Sequence, residues 1–191
     1  MRVLVTGQDG FLLRNTLKYK QDWKIIPYRS HMLYSDIDLV IHFASPSDIY
    51  EFEDKPKMAS TMVDLTLKMI QQAKKHNCKF IFASSMGAEI MDNEYSIYKK
   101  AMENYIIAML DEYLILRIPR VYGRDRTKGL MRHIHDGKIP VTDWDKRISY
   151  IDIESFKVWF NQMLNESGIQ FYTERMQFNT IEELRIKYCE S

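Results

Sequence analysis

The sequence is poor in the residues that hold disulfide-linked or metal-binding domains together. Its 191 residues include two cysteines, Cys78 and Cys189, which lie far apart and belong to no Cys-x-x-Cys pair. We expect two reduced structural thiols rather than a disulfide or a metal site. The close pair His133-x-His135 lies in a charged segment without further groups at ligand spacing, which favours a solvated helix end, so no metal is expected.

Excess charge and long apolar runs are lacking too. The net charge is +1, which argues against a protein that binds nucleic acid through bulk basic charge. No apolar run approaches the roughly 20 residues that span a membrane. The N-terminus has a strand pattern rather than a signal-peptide core, so we expect a cytoplasmic protein. Apolar residues make up 46% of the chain, which excludes a disordered protein.

Glycine is scarce, yet two of the seven glycines lie near the N-terminus in Thr6-Gly7-x-x-Gly10, directly after Val3-Leu4-Val5. Glycine allows a tight turn and lets a diphosphate approach the main chain. The free N–H groups of a following helix then favour negative charge. Gly-x-x-Gly also occurs in ordinary turns, but its place after an apolar strand favours nucleotide binding.

Apolar strands alternate with helices along the first two thirds of the chain. The pattern predicts strands over 2–6, 23–28, 38–44, 79–84 and 113–118, and helices over 11–19, 57–76 and 94–110. This order indicates an α/β fold with a parallel sheet covered on both faces. Such sheets bind ligands at the carboxyl ends of their strands. An apolar stripe on the second helix packs in the core or forms a subunit contact: Met58, Met62, Leu65, Met69, Ile70 and Ala73.

Tyr95 and Lys99 begin the helix predicted after Ser84 and Ser85. Positions i and i+4 share a helix face, so the phenol and the ammonium can reach one cleft. Proton transfer near pH 7 requires the tyrosine pKa to fall by about 3, or roughly 4 kcal/mol. One ammonium about 4 Å away contributes on the order of 4 kcal/mol at an effective dielectric near 20. About one Tyr-x-x-x-Lys is expected by chance, so its placement rather than its presence is informative.

Six segments in order resemble the extended short-chain dehydrogenase/reductases, the NAD(P)-dependent sugar-nucleotide epimerase, dehydratase and reductase group. The segments are Thr6-Gly-Gln-Asp-Gly-Phe-Leu12, Asp38-Leu-Val-Ile-His-Phe-Ala44, Phe80-Ile-Phe-Ala-Ser-Ser85, Tyr95-x-x-x-Lys99-x-x-x-Glu103, Leu116-Arg-Ile-Pro-Arg-Val-Tyr-Gly123 and Arg147-Ile-Ser-Tyr-Ile-Asp152. The resemblance covers about residues 1–155 and implies a Rossmann-type doubly wound parallel sheet.

The resemblance also implies roles. Tyr95 would be the acid/base, Lys99 would lower its pKa and hold the nicotinamide ribose, and Ser85 would hydrogen-bond the reacting oxygen. The other implied cofactor-binding residues are Gly7, Asp9, Gly10, Phe11, Leu12, Phe43 and Ala44. The implied substrate-binding residues are Ser45, Met86, Arg120 and Arg147.

Arg29 and Ser30 follow the second predicted strand, where relatives that prefer NAD usually carry an acidic residue. A guanidinium there can pair with a 2′-phosphate, which favours NADP(H) over NAD(H). The alternative is an ordinary surface arginine.

The sequence departs from the family pattern at several positions. Leu13 replaces the third fingerprint glycine, which would place the first helix farther out. Met62 and Arg120 replace asparagines, and Glu89-Ile90 stands where relatives have Tyr-Gly. The segment between Ser85 and Tyr95 is short, and a strand–helix unit before Asp38 is missing.

We divide the chain into a dinucleotide-binding core, residues 1–123, and a much reduced C-terminal substrate lobe, residues 124–191, which is not an independent domain. Basic residues of the lobe are interleaved with aspartates, which favours a solvated face: Arg124, Arg126, Lys128, Arg132 and Lys138. For Arg120 and Arg147 alone, a substrate-binding role and a place on a solvated face are weighed equally.

The sequence thus predicts an NAD(P)-dependent oxidoreductase or epimerase-like enzyme acting on a nucleotide-linked sugar or a similar carbonyl or hydroxyl substrate. One alternative is a cofactor-binding sensor or scaffold without catalysis, which the shortened pocket favours and the retained Ser85, Tyr95 and Lys99 oppose. A second is an interaction domain that binds no nucleotide. Family members often dimerise through helices corresponding to 57–76 and 94–110, so a homodimer is also considered.

Overall fold

The computed structural model describes residues 1–45, 59–91, 93–123, 147–174 and 176–189, and shorter runs at 125–126, 133–134, 136, 138 and 144–145. Met58, Arg124, Lys128, Arg132 and His135 of the sequence analysis lie outside these ranges. No helix in the described part of the chain is both long and apolar enough to cross a lipid bilayer.

The five strands and three helices that the sequence predicts are present, with ends that differ by a few residues, and the described ranges hold four further strands and two further α-helices after Ile118. The strands are β1 (Arg2–Thr6), β2 (Lys24–Pro27), β3 (Leu39–His42), β4 (Lys79–Ser85), β5 (Tyr113–Ile118), β6 (Val121–Tyr122), β7 (Arg147–Asp152), β8 (Gly168–Phe171) and β9 (Gln177–Thr180). The α-helices are α1 (Phe11–Leu17), α2 (Leu65–His76), α3 (Glu94–Met109), α4 (Ile153–Met163) and α5 (Ile181–Cys189).

The second helix was predicted as one regular helix, but a π-helical turn over Ala59–Asp64 precedes α2. The hydroxyl of Thr66 donates to the carbonyl of Met62 over 2.6 Å. A side chain that bonds to the preceding turn competes with the backbone ladder and favours such irregularity. Periodicity of apolar residues does not report this kind of local change.

Six parallel strands form the main sheet in the order β2-β1-β3-β4-β5-β8. Both faces are buried: Val3 and Val5 face one core, and Leu4 faces the other. This explains why the strands are continuous apolar runs rather than alternating ones. The fold is the predicted Rossmann-type α/β sheet.

Helices α1 and α4 cover one face of this sheet, and α2 and α3 cover the other. Leu13 is fully buried with Phe156 and Phe160 of α4 in the first core. The residue that replaces the fingerprint glycine therefore fills the space between α1 and the sheet. On the second face, Met69, Ile70 and Ala73 are buried, and Met62 is also buried nearby, so these residues pack within the core of the chain.

The C-terminal region contributes to two sheets. Helix α4 and strand β8 pack on and complete the main sheet. A smaller sheet, β6-β7-β9, pairs β7 with β6 in parallel and with β9 antiparallel. Its core contains Tyr122 and Tyr150, whose ring centres lie 5.0 Å apart.

The expected loss of a strand–helix unit is visible at the β2 edge. In the usual doubly wound order another strand lies outside this position, but residues 28–38 connect β2 to β3 without a helix or strand. The amides of Lys24 and Tyr28 donate toward β1. Pro27, which alternates with them, faces outward and has no N–H to offer. Proline on an edge strand blocks further strand pairing.

Gly7 lies where the turn after β1 meets the chain leaving β3. Its φ of +78° is a left-handed conformation. A Cβ at this position would lie 2.7 Å from the amide nitrogen of Ala44 and 2.8 Å from the carbonyl carbon of Phe43. Both the backbone angle and the close approach therefore require glycine.

Candidate active site

Three central strands end at the same edge of the sheet, at Thr6, His42 and Ser85. Thr6 is paired with His42, and His42 with Phe82, so the three ends are adjacent. Ligand sites of parallel sheets lie at this edge. Some of the sequence-predicted residues lie in the segments that follow these ends: Gly7, Asp9, Gly10, Phe43, Ala44, Ser45 and Met86.

The first of these turns joins β1 to α1. The amide of Gly10 donates to the carbonyl of Gly7 over 2.9 Å, which closes the turn. No side chain caps α1, and its first turn carries no acidic residue. Asp9 is exposed and accepts a hydrogen bond from Gln8, while Phe11 and Leu12 are half-buried.

The second turn, Phe43-Ala44-Ser45, lies directly against the first. The amides of Phe43 and Ala44 donate to the backbone oxygen and the hydroxyl of Thr6, over 3.2 Å and 3.3 Å. Ser45 hydrogen-bonds through its side chain to Tyr95. The residue predicted to touch substrate therefore lies beside the predicted acid/base.

A buried hydrogen-bonded chain supports both turns from below. The ring nitrogens of His42 lie 2.6 Å from the hydroxyl of Thr6 and 2.8 Å from that of Thr66. The ring centre of His42 also lies 6.3 Å from that of Phe80 and 5.8 Å from that of Phe82. Burial, reinforced by the charge of Lys99, lowers the pKa of His42 to about 3, so its ring is neutral at physiological pH.

Ser85 ends β4 and caps the short 3₁₀ turn Met86–Glu89. Its hydroxyl accepts a hydrogen bond from the amide of Gly87 over 3.2 Å. Both Ser85 and Met86 are half-buried.

Tyr95 lies in the first turn of α3, whose start is fixed by a reciprocal capping pair. The side chain of Asn93 accepts from the amide of Ser96 over 3.0 Å, and the hydroxyl of Ser96 accepts from the amide of Asn93 over 3.1 Å. One turn on, Lys99 is buried and donates to the carbonyl of Ala83 over 2.6 Å. The Lys99 ammonium lies 5.6 Å from the centre of the Tyr95 ring, so the two share one helix face.

Burial dominates the protonation of both side chains. It raises the pKa of Tyr95, against smaller lowering effects from the Ser45 hydrogen bond and the charge of Arg126. It lowers the pKa of Lys99 to about 7, although Glu103 acts to raise it. The expected lowering of the Tyr95 pKa by Lys99 is thus absent from this arrangement, because desolvation of the phenolate outweighs the nearby charges.

Arg126 belongs to the charged stretch interpreted as a solvated face, yet it is half-buried near Tyr95. Its guanidinium lies 5.3 Å from the centre of the Phe11 ring and donates to the carbonyl of Val121. Gly123 allows this packing, because a Cβ there would lie 2.8 Å from the Phe11 ring. In the sequence, the one feature that pointed to this contact was Phe11, the aromatic residue that directly follows the glycine turn.

Arg29 and Ser30 are exposed in the connection after β2, which is the edge where the strand–helix unit is missing. The hydroxyl of Tyr34 accepts from the amide of Arg29 and donates to its carbonyl over 3.0 Å. The backbone of this predicted phosphate-binding residue is therefore held in place while its side chain faces solvent.

Arg120 and Arg147 are exposed, and Arg120 directly precedes β6 of the smaller sheet. The Arg120 carbonyl accepts from the amide of Ile151 over 2.8 Å. Arg147 begins β7 and lies beside an open groove lined by Met176, Gln177, Phe178 and Asn179. Asp152, at the other end of β7, pairs with Tyr122 beside Gly123. Arg147 is thus about 16 Å along the strand from that point, by the usual rise per residue.

Within the described ranges, no cluster of three or more His, Cys, Asp or Glu side chains is placed to hold a metal ion.

The sequence model of the NAD dependent epimerase/dehydratase family matches residues 29–150, which is more than half of the chain. The chain belongs to this family. It is similar to UDP-2-acetamido-2,6-beta-L-arabino-hexul-4-ose reductase of Pseudomonas aeruginosa, with 26% identity over 141 residues that cover 65% of this chain. The match spans 37% of that relative, so the chain corresponds to little more than a third of its length.

Solved structures share the fold along almost the whole chain. A dTDP-4-dehydrorhamnose reductase from Clostridium acetobutylicum superposes with a TM-score of 0.77 at 17% identity, covering 100% of this chain and 80% of that one. RMD from Pseudomonas aeruginosa complexed with NADPH superposes with a TM-score of 0.73 at 19% identity, covering 96% of this chain and 79% of that one. UDP-glucose 4-epimerase from Thermus thermophilus in complex with NAD superposes with a TM-score of 0.76 at 17% identity, covering 100% of this chain and 83% of that one. The second of these structures thus contains NADPH and the third NAD.

Acidification tests the buried state of His42. The unfolded chain takes up a proton near pH 6.5 that the folded chain accepts only near pH 3. Stability therefore falls as pH drops through this window, and His42 alone accounts for a loss of about 3 kcal/mol between pH 7 and 4.5. Urea unfolding at the two pH values measures this loss, which His42→Gln removes. His31→Gln, at an exposed histidine, should keep the full loss, and equal losses in all three proteins would contradict the assignment.

Proposed function

We propose that this member of the NAD dependent epimerase/dehydratase family is an NAD(P)-dependent oxidoreductase or epimerase-like enzyme that acts on a nucleotide-linked sugar or a similar carbonyl or hydroxyl substrate. The carrying observation is that Tyr95 and Lys99 share one buried helix face at the sheet edge that also holds the glycine turn. Ser45 connects Tyr95 to the segment packed against that turn. The relatives named above include a reductase and an epimerase of nucleotide sugars, which supports the substrate class.

The residues at the glycine turn fit a dinucleotide. Gly7 and Gly10 leave the main chain without side chains where a diphosphate would approach, and α1 offers amide groups that no side chain caps. Phe11 and Leu12 would contact the diphosphate, and Phe43 and Ala44 the adenosine side. When bound, the nicotinamide supplies or accepts a hydride.

The side chains of the chain itself would handle the proton and the substrate oxygen. The Tyr95 hydroxyl would give a proton to a carbonyl oxygen or take one from a hydroxyl, and Ser85 would hydrogen-bond that oxygen. The Lys99 ammonium would hold the nicotinamide ribose. The raised pKa of Tyr95 keeps its phenol protonated before ligands bind, which is the form that donates to a carbonyl.

A second candidate is a dinucleotide-binding protein without turnover. Two observations favour it. Burial raises the pKa of Tyr95 rather than lowering it, and the Lys99 ammonium, proposed to hold the ribose, donates a hydrogen bond to the Ala83 carbonyl. The two candidates share the cofactor site and differ only in whether a substrate reacts.

Replacing Tyr95 separates these candidates. Tyr95→Phe should retain NADPH binding and lower turnover of nucleotide-sugar substrates by about 10² to 10⁴, the usual contribution of a positioned acid/base. The measurement follows both NADPH consumption at 340 nm and epimerised product in a panel of nucleotide sugars and nucleotide 4-keto sugars, with Tyr105→Phe on the exposed part of the same helix as the matched control. Wild-type binding without turnover of any panel member would support the second candidate, and full activity of Tyr95→Phe would exclude Tyr95 as the acid/base.

Arg29 would set the preference for NADP(H), since its exposed guanidinium can pair with a 2′-phosphate. Calorimetric titration should show NADPH binding that Arg29→Ala weakens by about 10- to 100-fold, as expected for a charge-assisted hydrogen bond, with little effect on NADH. Arg185→Ala, on the remote helix α5, serves as the control. Equal weakening of both dinucleotides, or none, would show that Arg29 does not read the phosphate.

A further inference from the structure

A buried carboxylate lies one helical turn beyond Lys99. Glu103 is fully buried, and Arg117 of β5 donates to its two oxygens over 3.0 Å and 2.8 Å. The hydroxyl of Ser84 also donates to it. Lys100 lies 3.6 Å away from the same carboxylate. The proposed mechanism uses none of these contacts.

Glu103 and Lys99 contact consecutive residues of one strand. Lys99 donates to the carbonyl of Ala83 and Glu103 accepts from the hydroxyl of Ser84. The Cβ atoms of residues i and i+4 of a helix lie about 6 Å apart, so these two buried side chains of opposite charge share one helix face. The β3–β4 pairing ends at Phe82, so the Ala83 carbonyl lies just beyond the last paired residue.

Among the described residues, the other groups around Lys99 supply no negative charge. On β4, the Phe82 ring centre is 4.7 Å from its ammonium; on α3, Tyr95 is protonated; and on β3, His42 is neutral. Arg117 carries positive charge. Its second acidic partner, Glu89, lies 3.4 Å from its guanidinium and is largely exposed. Glu103 is therefore the buried counter-charge shared by Lys99, Lys100 and Arg117.

We propose that Glu103 is a positioning residue whose carboxylate, fixed by Ser84 and Arg117, favours the charged form of the Lys99 side chain and helps to direct it at the end of β4. Only the consequence for ribose binding rests on the proposed function. Burial without this carboxylate would leave a neutral amine at neutral pH, because a buried ammonium requires a nearby opposite charge.

The test measures the protonation of Lys99 directly and uses no dinucleotide or substrate. In protein labelled with ¹³C at the lysine Cε, one resonance should titrate near pH 7, far below the roughly 10.4 of ordinary lysines. Lys99→Met identifies it by its loss. Glu103→Gln should move the midpoint down by about one pH unit or more, whereas Glu94→Gln, exposed in the first turn of α3, should leave it unchanged.

An unchanged Lys99 midpoint in folded Glu103→Gln would overturn the proposal, as would a wild-type midpoint near that of ordinary lysines. Glu103→Gln leaves the guanidinium of Arg117 without its buried carboxylate partner, so this variant can fail to fold. A second measurement on the wild type covers that case: the ¹³Cδ resonance of Glu103 should show a step at the Lys99 midpoint. A flat Glu103 resonance through that pH range would refute the coupling. The titration of Lys99 uses no cofactor, so its outcome does not depend on dinucleotide binding. Failure of the protein to bind NADPH would exclude the proposed function but would not affect the result for Lys99 and Glu103.

Discussion

The approach of the glycine turn after β1 to the backbone leaving β3 is the contact on which the arrangement of the site depends. Gly7 adopts a left-handed conformation and leaves no room for a side chain against Ala44. Thr6 then fixes the departing chain through its backbone oxygen and its hydroxyl. From there Ser45 reaches Tyr95 on α3. A continuous set of contacts thus runs from the turn proposed to bind phosphate to the proposed acid/base.

Burial gives the site its chemical character. Away from water, the neutral forms of Tyr95, Lys99 and His42 are all favoured, and only nearby opposite charge can restore an ionised form. Glu103 provides such a charge for Lys99, while Arg126 acts on Tyr95 from the other side. A site of this kind changes its protonation readily when a charged ligand enters, which suits a proton-transfer role.

The sheet was predictable from sequence because each central strand is buried on both faces and therefore reads as an unbroken apolar run. The missing unit before Asp38 was also visible, as too short a segment between two strands. Other features depend on contacts between distant parts of the chain. Arg126 on Phe11 and Arg117 on Glu103 are separated by many residues, and neither pair has a spacing rule. The π-helical turn at Ala59–Asp64 leaves no mark on apolar periodicity.

The unfolding free energy of Gly7→Ala, compared with that of Gly168→Ala, tests the central contact most directly. Both glycines have left-handed angles, at +78° and +74°, but a Cβ at Gly168 would meet nothing within 4 Å. Gly168→Ala should therefore cost only the backbone strain, about 1 kcal/mol. Gly7→Ala should cost at least about 2 kcal/mol more, because its methyl group collides with the backbone of Phe43 and Ala44. Equal losses in the two variants would contradict the view that this close approach organises the site.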